Sequence, residues 1–131
     1  MIGLDTNVLV RYVMQDDPRQ SPRATRLVES LSPEEPGFVP LVAVLELAWV
    51  LSGSYGLSRA QVATVLDTLL RSKELVLDRA ELVSQALSRY GAQGADFADA
   101  LIERTAAAAG CSATLTFDAG AIKSAAMSAV P

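Results

Sequence analysis

Asp5, Glu46, Asp99 and Asp118 are carboxylates set in apolar stretches of the chain. An isolated ionised carboxylate in such surroundings is costly unless it is paired, protonated or given a cation. Asp5 ends the run Met1-Ile2-Gly3-Leu4, and Asp118 ends Ala113-Thr114-Leu115-Thr116-Phe117. Glu46 lies inside the apolar stretch Leu41 to Leu51, and Asp99 inside Phe97-Ala98-Asp99-Ala100-Leu101-Ile102. The chain has no histidine and only two lysines, Lys73 and Lys123. A divalent metal is the simplest common partner for all four acids.

Converging carboxylates suit the hard cations Mg²⁺ or Mn²⁺, which keep several waters and share phosphate oxygens of a substrate. A metal so held activates water and stabilises charge on a phosphate in flight; two ions about 3.5–4 Å apart would clamp both attacking and leaving oxygens. The reaction this chemistry points to is phosphodiester hydrolysis by metal-activated water. Without histidine, triad and histidine-based ribonuclease chemistry are excluded.

Each acid also has a plainer reading. Asp5 before Thr6-Asn7 serves equally well as a helix N-cap, and Asp118 can cap the helix that follows it. Asp96 and Asp99 form an i, i+3 pair of like charges that a shared cation would relieve, with Asp96 read as an N-cap or supporting group. Glu46 is the hardest to explain blandly. Glu103, next to Arg104, is expected to be solvated, Trp49 to lie in the core, and Cys111 to be a small buried apolar group. The run Ala106 to Ala109 is expected at a close helix contact.

Alternating short strands and helices must position these residues. Ile2 to Asp5 reads as a strand and Thr6 to about Gln15 as a helix with Val8, Leu9, Tyr12 and Val13 inward. Ser21-Pro22 reads as an N-cap and first helical residue of a helix to about Leu31. Phe38-Val39 is a strand after the turn-rich 32–37, and Leu41 to Ser54 a strongly apolar helix. Ser58-Arg59-Ala60-Gln61 and Asp78-Arg79-Ala80-Glu81 are capping-box patterns on either side of the strand Leu75 to Leu77. The second opens a helix with Leu82, Val83, Ala86, Leu87 and Tyr90 at helical spacing. A helix from about Asp96 to Ala109 stops at Gly110; then come a strand at 113–117, a short helix at 119–125 and an edge strand at 127–130. This order predicts an α/β fold, a three-layer α/β/α sandwich with a central, mainly parallel sheet, in one domain spanning 1–131. Ligands of such sheets bind beyond the carboxyl ends of the strands, where Asp5 and Asp118 stand.

At 131 residues and half apolar, the chain can bury a core without staples. One cysteine fits a reducing cytoplasm, no run reaches membrane-span length, and no secretory leader is expected because Asp5 interrupts the first apolar run. A net charge of −4 argues against nucleic-acid binding by bulk electrostatics, though bound metal would reverse the local sign. Arg19, Arg23 and Arg26 share one helical face with Arg11 upstream, which serves either as a solvated face or as a nucleic-acid or partner contact.

Four segments in order resemble the motifs of PIN-domain proteins: residues 2–10 around Asp5-Thr6-Asn7, Glu46-Leu47, residues 96–102 around Asp99, and residues 114–118 ending at Asp118. The length is also similar to that of the VapC toxins of bacterial type II toxin–antitoxin pairs. The resemblance implies a Mg²⁺- or Mn²⁺-dependent endoribonuclease, usually a homodimer, neutralised by a small antitoxin. It makes Asp5 and Asp99 the main metal ligands. By the same resemblance Glu46 would complete the acidic site and help activate water, and Asp118 would bind metal directly or through water. Asn7 and Thr116 match positions that hold the acids by hydrogen bonds, with Thr6 as further support. Asp96 departs from many relatives, and the division of labour between Asp96 and Asp99 stays open. A non-catalytic PIN-like module binding RNA or protein is the alternative, in keeping with the acidic balance. A phosphatase or receiver domain is a weaker third reading, because Asn7 stands where the phosphatase pattern needs a second aspartate.

Overall fold

A computed structural model describes residues 1–131, with five short strands and seven helices arranged as two compact units, Met1–Ala80 and Glu81–Pro131. In the first unit β1 (Ile2–Gly3), β2 (Gly37–Val39) and β3 (Leu75–Leu77) form a sheet in the order β1-β2-β3. Both pairings are parallel, with Ile2 opposite Gly37 and Gly37 opposite Leu75. Parallel neighbours need long crossovers. The helices α1 (Thr6–Met14) and α2 (Gln20–Ser30) supply the first crossover, and α3 (Leu41–Gly53) and α4 (Arg59–Arg71) the second. The second unit holds most of α5 (Ala80–Ala92), then α6 (Phe97–Ala108), β4 (Leu115–Thr116), α7 (Ala119–Ser124) and β5 (Ser128–Ala129). β4 and β5 are again parallel, so the α/β class and parallel pairing expected from the sequence are found, with the strands shared between a three-stranded and a two-stranded sheet.

The core of the first unit is aliphatic: Leu9, Val39, Val44, Leu47, Leu51 and Leu66 are fully buried. Gly37 at the start of β2 lets the Leu4 and Leu31 side chains pack closely against the strand, since a Cβ there would meet Leu4 Cδ1 at 2.7 Å and Leu31 Cδ1 at 3.0 Å. In the second unit Val83, Ala86, Phe97, Ala100 and Leu101 are buried, and the Tyr90 and Phe97 rings meet edge-to-face with centroids 6.1 Å apart. No helix is long and apolar enough to cross a membrane.

Capping chemistry explains several boundaries. Ser58 and Gln61 form the expected capping box reciprocally. The other two expected starts differ. α2 starts at Gln20, before the expected cap at Ser21: the Asp17 Oδ1 in the preceding turn accepts from the Arg19 and Gln20 amides, while Ser21 is buried inside the helix and its Oγ accepts from the Asp17 amide. An aspartate reaching forward two and three residues competes well for a helix start. Asp78 makes no capping box, because its Oδ2 accepts from the Leu41 amide at 3.4 Å and Arg79 takes a left-handed φ of 50°.

Along α3 the residues Ala43, Val44, Leu47, Ala48 and Leu51 face the core, while Val42, Glu46, Trp49 and Gly53 follow the opposite stripe and are exposed. Trp49 is therefore not a core residue; it is 74% exposed. On α1 the buried side chains are Thr6, Leu9 and Val10, with Val8, Tyr12 and Val13 half-buried. Cys111 is exposed, as are Ala108 and Ala109, so the expected burial of the thiol and the close packing at that end of the alanine run are not found.

Candidate functional site

The first unit presents two of the candidate acids. Asp5 follows β1 and caps α1, its Oδ1 accepting from the Thr6 amide at 2.8 Å. Its extended backbone, φ −79° and ψ 157°, is what a capping residue needs. Glu46 stands on the solvent stripe of α3. Asp5, Glu46, Asn7, Arg11 and Tyr55 line one cavity of about 540 Å³. Asn7 makes no hydrogen bond to Asp5; it is exposed and lines the cavity. Thr6 is buried and supports Asp5 through its backbone N–H.

One wall of that cavity was not legible in the sequence. Arg11 Nη1 donates to Asp16 Oδ1 at 3.1 Å and to the Tyr55 hydroxyl at 3.3 Å, its Nε donates to Gln20 Oε1 at 2.9 Å, and the Tyr55 hydroxyl donates to Asp16 Oδ2 at 2.6 Å. The Tyr55 hydrogen bond, then Arg11, hold the Asp16 carboxyl below its ordinary range. Tyr55 lies 39 positions from Asp16, so no local pattern announces the pair.

The second unit presents Asp96, Asp99 and Asp118. Asp96 caps α6, its Oδ1 accepting from the Asp99 amide at 3.0 Å. Asp99 is half-buried in the first turn of α6. Its carboxyl is pushed above the ordinary aspartate range, first by burial and then by the charges of Asp96 and Asp118. Asp118 caps α7, with Oδ1 accepting from the Gly120 amide at 2.7 Å and the Ala121 amide at 3.3 Å. Thr116 Oγ1 accepts from the Asp118 backbone N–H at 3.0 Å, so it steadies the residue through its main chain and not through its carboxylate.

Burial separates the acids. Asp5, Glu46 and Asp118 are exposed, and the desolvation argued from their apolar sequence neighbours applies to Asp99 alone. Apolar neighbours along the chain do not bury a carboxylate at a helix end or on a helix's solvent stripe. The capping readings of Asp5, Asp96 and Asp118 are realised. A cap uses Oδ1 of each, which leaves the other oxygen free for a further partner.

Glu103 reverses its expectation. It is buried, and its Oε2 accepts from Arg89 Nη1 and from Arg104 Nε, the latter at 2.7 Å; its Oε1 accepts from Arg104 Nη2 at 2.9 Å. The Arg104 hydrogen bond, with both guanidinium charges, holds the Glu103 carboxyl below its ordinary range. Glu103 is a structural ion-pair residue of the second unit.

The donor set fits Mg²⁺ or Mn²⁺ in kind: carboxylate oxygens are the hard ligands these ions take. The negative charge gathered on Asp99 is what a bound cation would relieve. In neither unit are three such groups drawn together as a preformed metal-holding set.

No curated protein matches the chain. The PIN domain model matches residues 2–126 and so spans both units. PIN domains are nuclease-type domains, generally metal-dependent hydrolases. With a match that runs from β1 to just past α7, the chain belongs to the PIN domain family.

Proposed function

We propose that this PIN domain is a Mg²⁺- or Mn²⁺-dependent endoribonuclease, the toxin of a VapC-type toxin–antitoxin pair. The observation that carries the reading is Asp99, a half-buried carboxyl raised by burial and by two further carboxylates of its unit. Groups perturbed in this way concentrate at functional sites.

In this reading Asp5, Glu46, Asp99 and Asp118 would hold the ion, and Asp96 would sustain Asp99. A bound metal would lower the pKa of water and offset charge on the phosphate. Glu46, which shares a cavity with Asp5, takes a proton from the attacking water. Water adds to phosphorus, the phosphodiester's P–O bond breaks, and the leaving oxygen takes up a proton. Asn7 and Thr6 shape the floor beside Asp5, and Thr116 fixes the backbone of Asp118.

The partners are RNA as substrate, a small antitoxin and a second copy of the chain, in the cytoplasm. Val42 and Trp49, 77% and 74% exposed on one face of α3, support a protein-covered surface. Incubating the protein with total RNA and Mg²⁺ or Mn²⁺, beside EDTA and Asp5→Asn controls, tests the proposal. Cleavage that needs both metal and Asp5 supports it; cleavage indifferent to either contradicts it.

A specific observation favours the second reading, a non-catalytic RNA- or protein-binding module: Asp5, Asp96 and Asp118 already serve as helix caps. RNA binding without cleavage under every metal would decide for it.

A further inference from the structure

The cavity bearing Asp5 and Glu46 has a neighbour of about 400 Å³, lined by Asn7, Arg11, Gln20 and Arg23 among others. Asn7 and Arg11 line both. Arg11 is already bound to Asp16, Tyr55 and Gln20, so its charge is largely spent and it acts as a fixed partition. Arg23 is different. It is exposed, makes no hydrogen bond or ion pair, and has the exposed Arg19, at the N-cap position just before α2, and Arg26, within α2, at helical spacing on either side. Those three guanidiniums extend over about 10 Å of helix. The Asn7 amide is also unengaged at the junction of the two cavities.

Resting on the ribonuclease reading, we infer that α2 carries the substrate strand away from the acids. Arg23 holds a backbone phosphate one or more nucleotides from the scissile bond, and Asn7 contacts the nucleotide between. The acidic pocket repels a polyanion in a chain of net charge −4, so productive binding needs cations beside it. Single-stranded RNA suits the arrangement, because its phosphates take contacts from a basic rail while its bases splay into adjoining cavities. Arginine gives a phosphate two parallel hydrogen bonds, which lysine does not.

The test is anisotropy of a fluorescein-labelled oligouridylate across a salt series, with EDTA present to prevent cleavage. Arg23→Ala should weaken binding several-fold and reduce the log–log salt slope by about 0.7, the value for one phosphate contact on a single strand. Arg23→Lys should restore the slope and only part of the affinity. Lys73→Ala, which removes the same charge from an exposed residue lining neither cavity, should leave the slope unchanged. Equal losses in Arg23→Ala and Lys73→Ala would overturn the inference, as would wild-type binding by Arg23→Ala or no binding by the wild type. Wild-type RNA affinity with lost binding of a polyglutamate peptide would assign the face to an acidic protein and equally overturn it. Arg23-dependent binding without metal-dependent cleavage would instead leave the rail standing and remove the nuclease.

Discussion

Asp96 Oδ1 accepts the backbone N–H of Asp99 at 3.0 Å, so the residue that caps α6 also places a second carboxylate over the same helix end. The cap stabilises α6, while the charge of Asp96 raises the Asp99 carboxyl. One side chain thus has two separable effects. Asp96→Asn keeps a capping oxygen and removes the charge; Asp96→Ala removes both. Urea denaturation should show Asp96→Ala destabilised by about 1 kcal/mol and Asp96→Asn near wild type. In both, the Asp99 carboxyl followed by NMR should titrate at lower pH than in wild type.

Asp99 itself costs stability near neutral pH. Its folded pKa is raised above the ordinary 3.8, so the folded state binds the proton more tightly than the unfolded chain. Stability then declines as pH rises from the ordinary value through the folded one. Asp99→Asn should have a higher urea midpoint than wild type at pH 7. The advantage should shrink as pH falls into the ordinary aspartate range, and a gap independent of pH would refute the assignment.

Glu103 has the opposite sign. Its folded pKa is lowered from the ordinary 4.5, so its contribution is complete above that value and is lost as pH falls through the folded one. Glu103→Gln leaves Arg89 and Arg104 without a charged partner. The cost should be on the order of 2 kcal/mol by denaturation at pH 7, below the about 3–5 of a fully buried pair because both guanidiniums keep contact with water. The acid limb of its stability curve should flatten.

Asp5 and Asp118 cap α1 and α7, and asparagine caps as well as aspartate. Asp5→Asn and Asp118→Asn should therefore unfold within a few tenths of a kcal/mol of wild type yet lose metal-dependent cleavage. Full activity in both would reduce these residues to caps.

What the sequence made legible was local. The capping box at Ser58 and Gln61, the strand Leu75–Leu77 and the buried face Leu82, Val83, Ala86 and Tyr90 depend on neighbours a few residues away. The placement of Asp5 after a strand and of Asp99 in a first helical turn was legible for the same reason. What failed was nonlocal. Trp49 and Glu46 lie on a helix apolar nearly all round, where only tertiary packing selects the solvent stripe. The role of Glu103 depends on Arg89, 14 residues away on another helix, and that of Asp16 on Tyr55. α2 starts ahead of Ser21 because the Asp17 side chain, four residues upstream, takes the Arg19 and Gln20 amides, a competitor that the Ser21-Pro22 pattern does not reveal.

The RNA substrate is a variable that metal binding avoids, so the most direct measurement is Mn²⁺ uptake followed by electron paramagnetic resonance in wild type and Asp99→Asn. If the acids hold the ion, wild type depletes the free Mn²⁺ signal saturably, and Asp99→Asn, folded and at least as stable at pH 7, takes up far less. Equal uptake by the two proteins, or none by wild type, would contradict the metal-dependent nuclease.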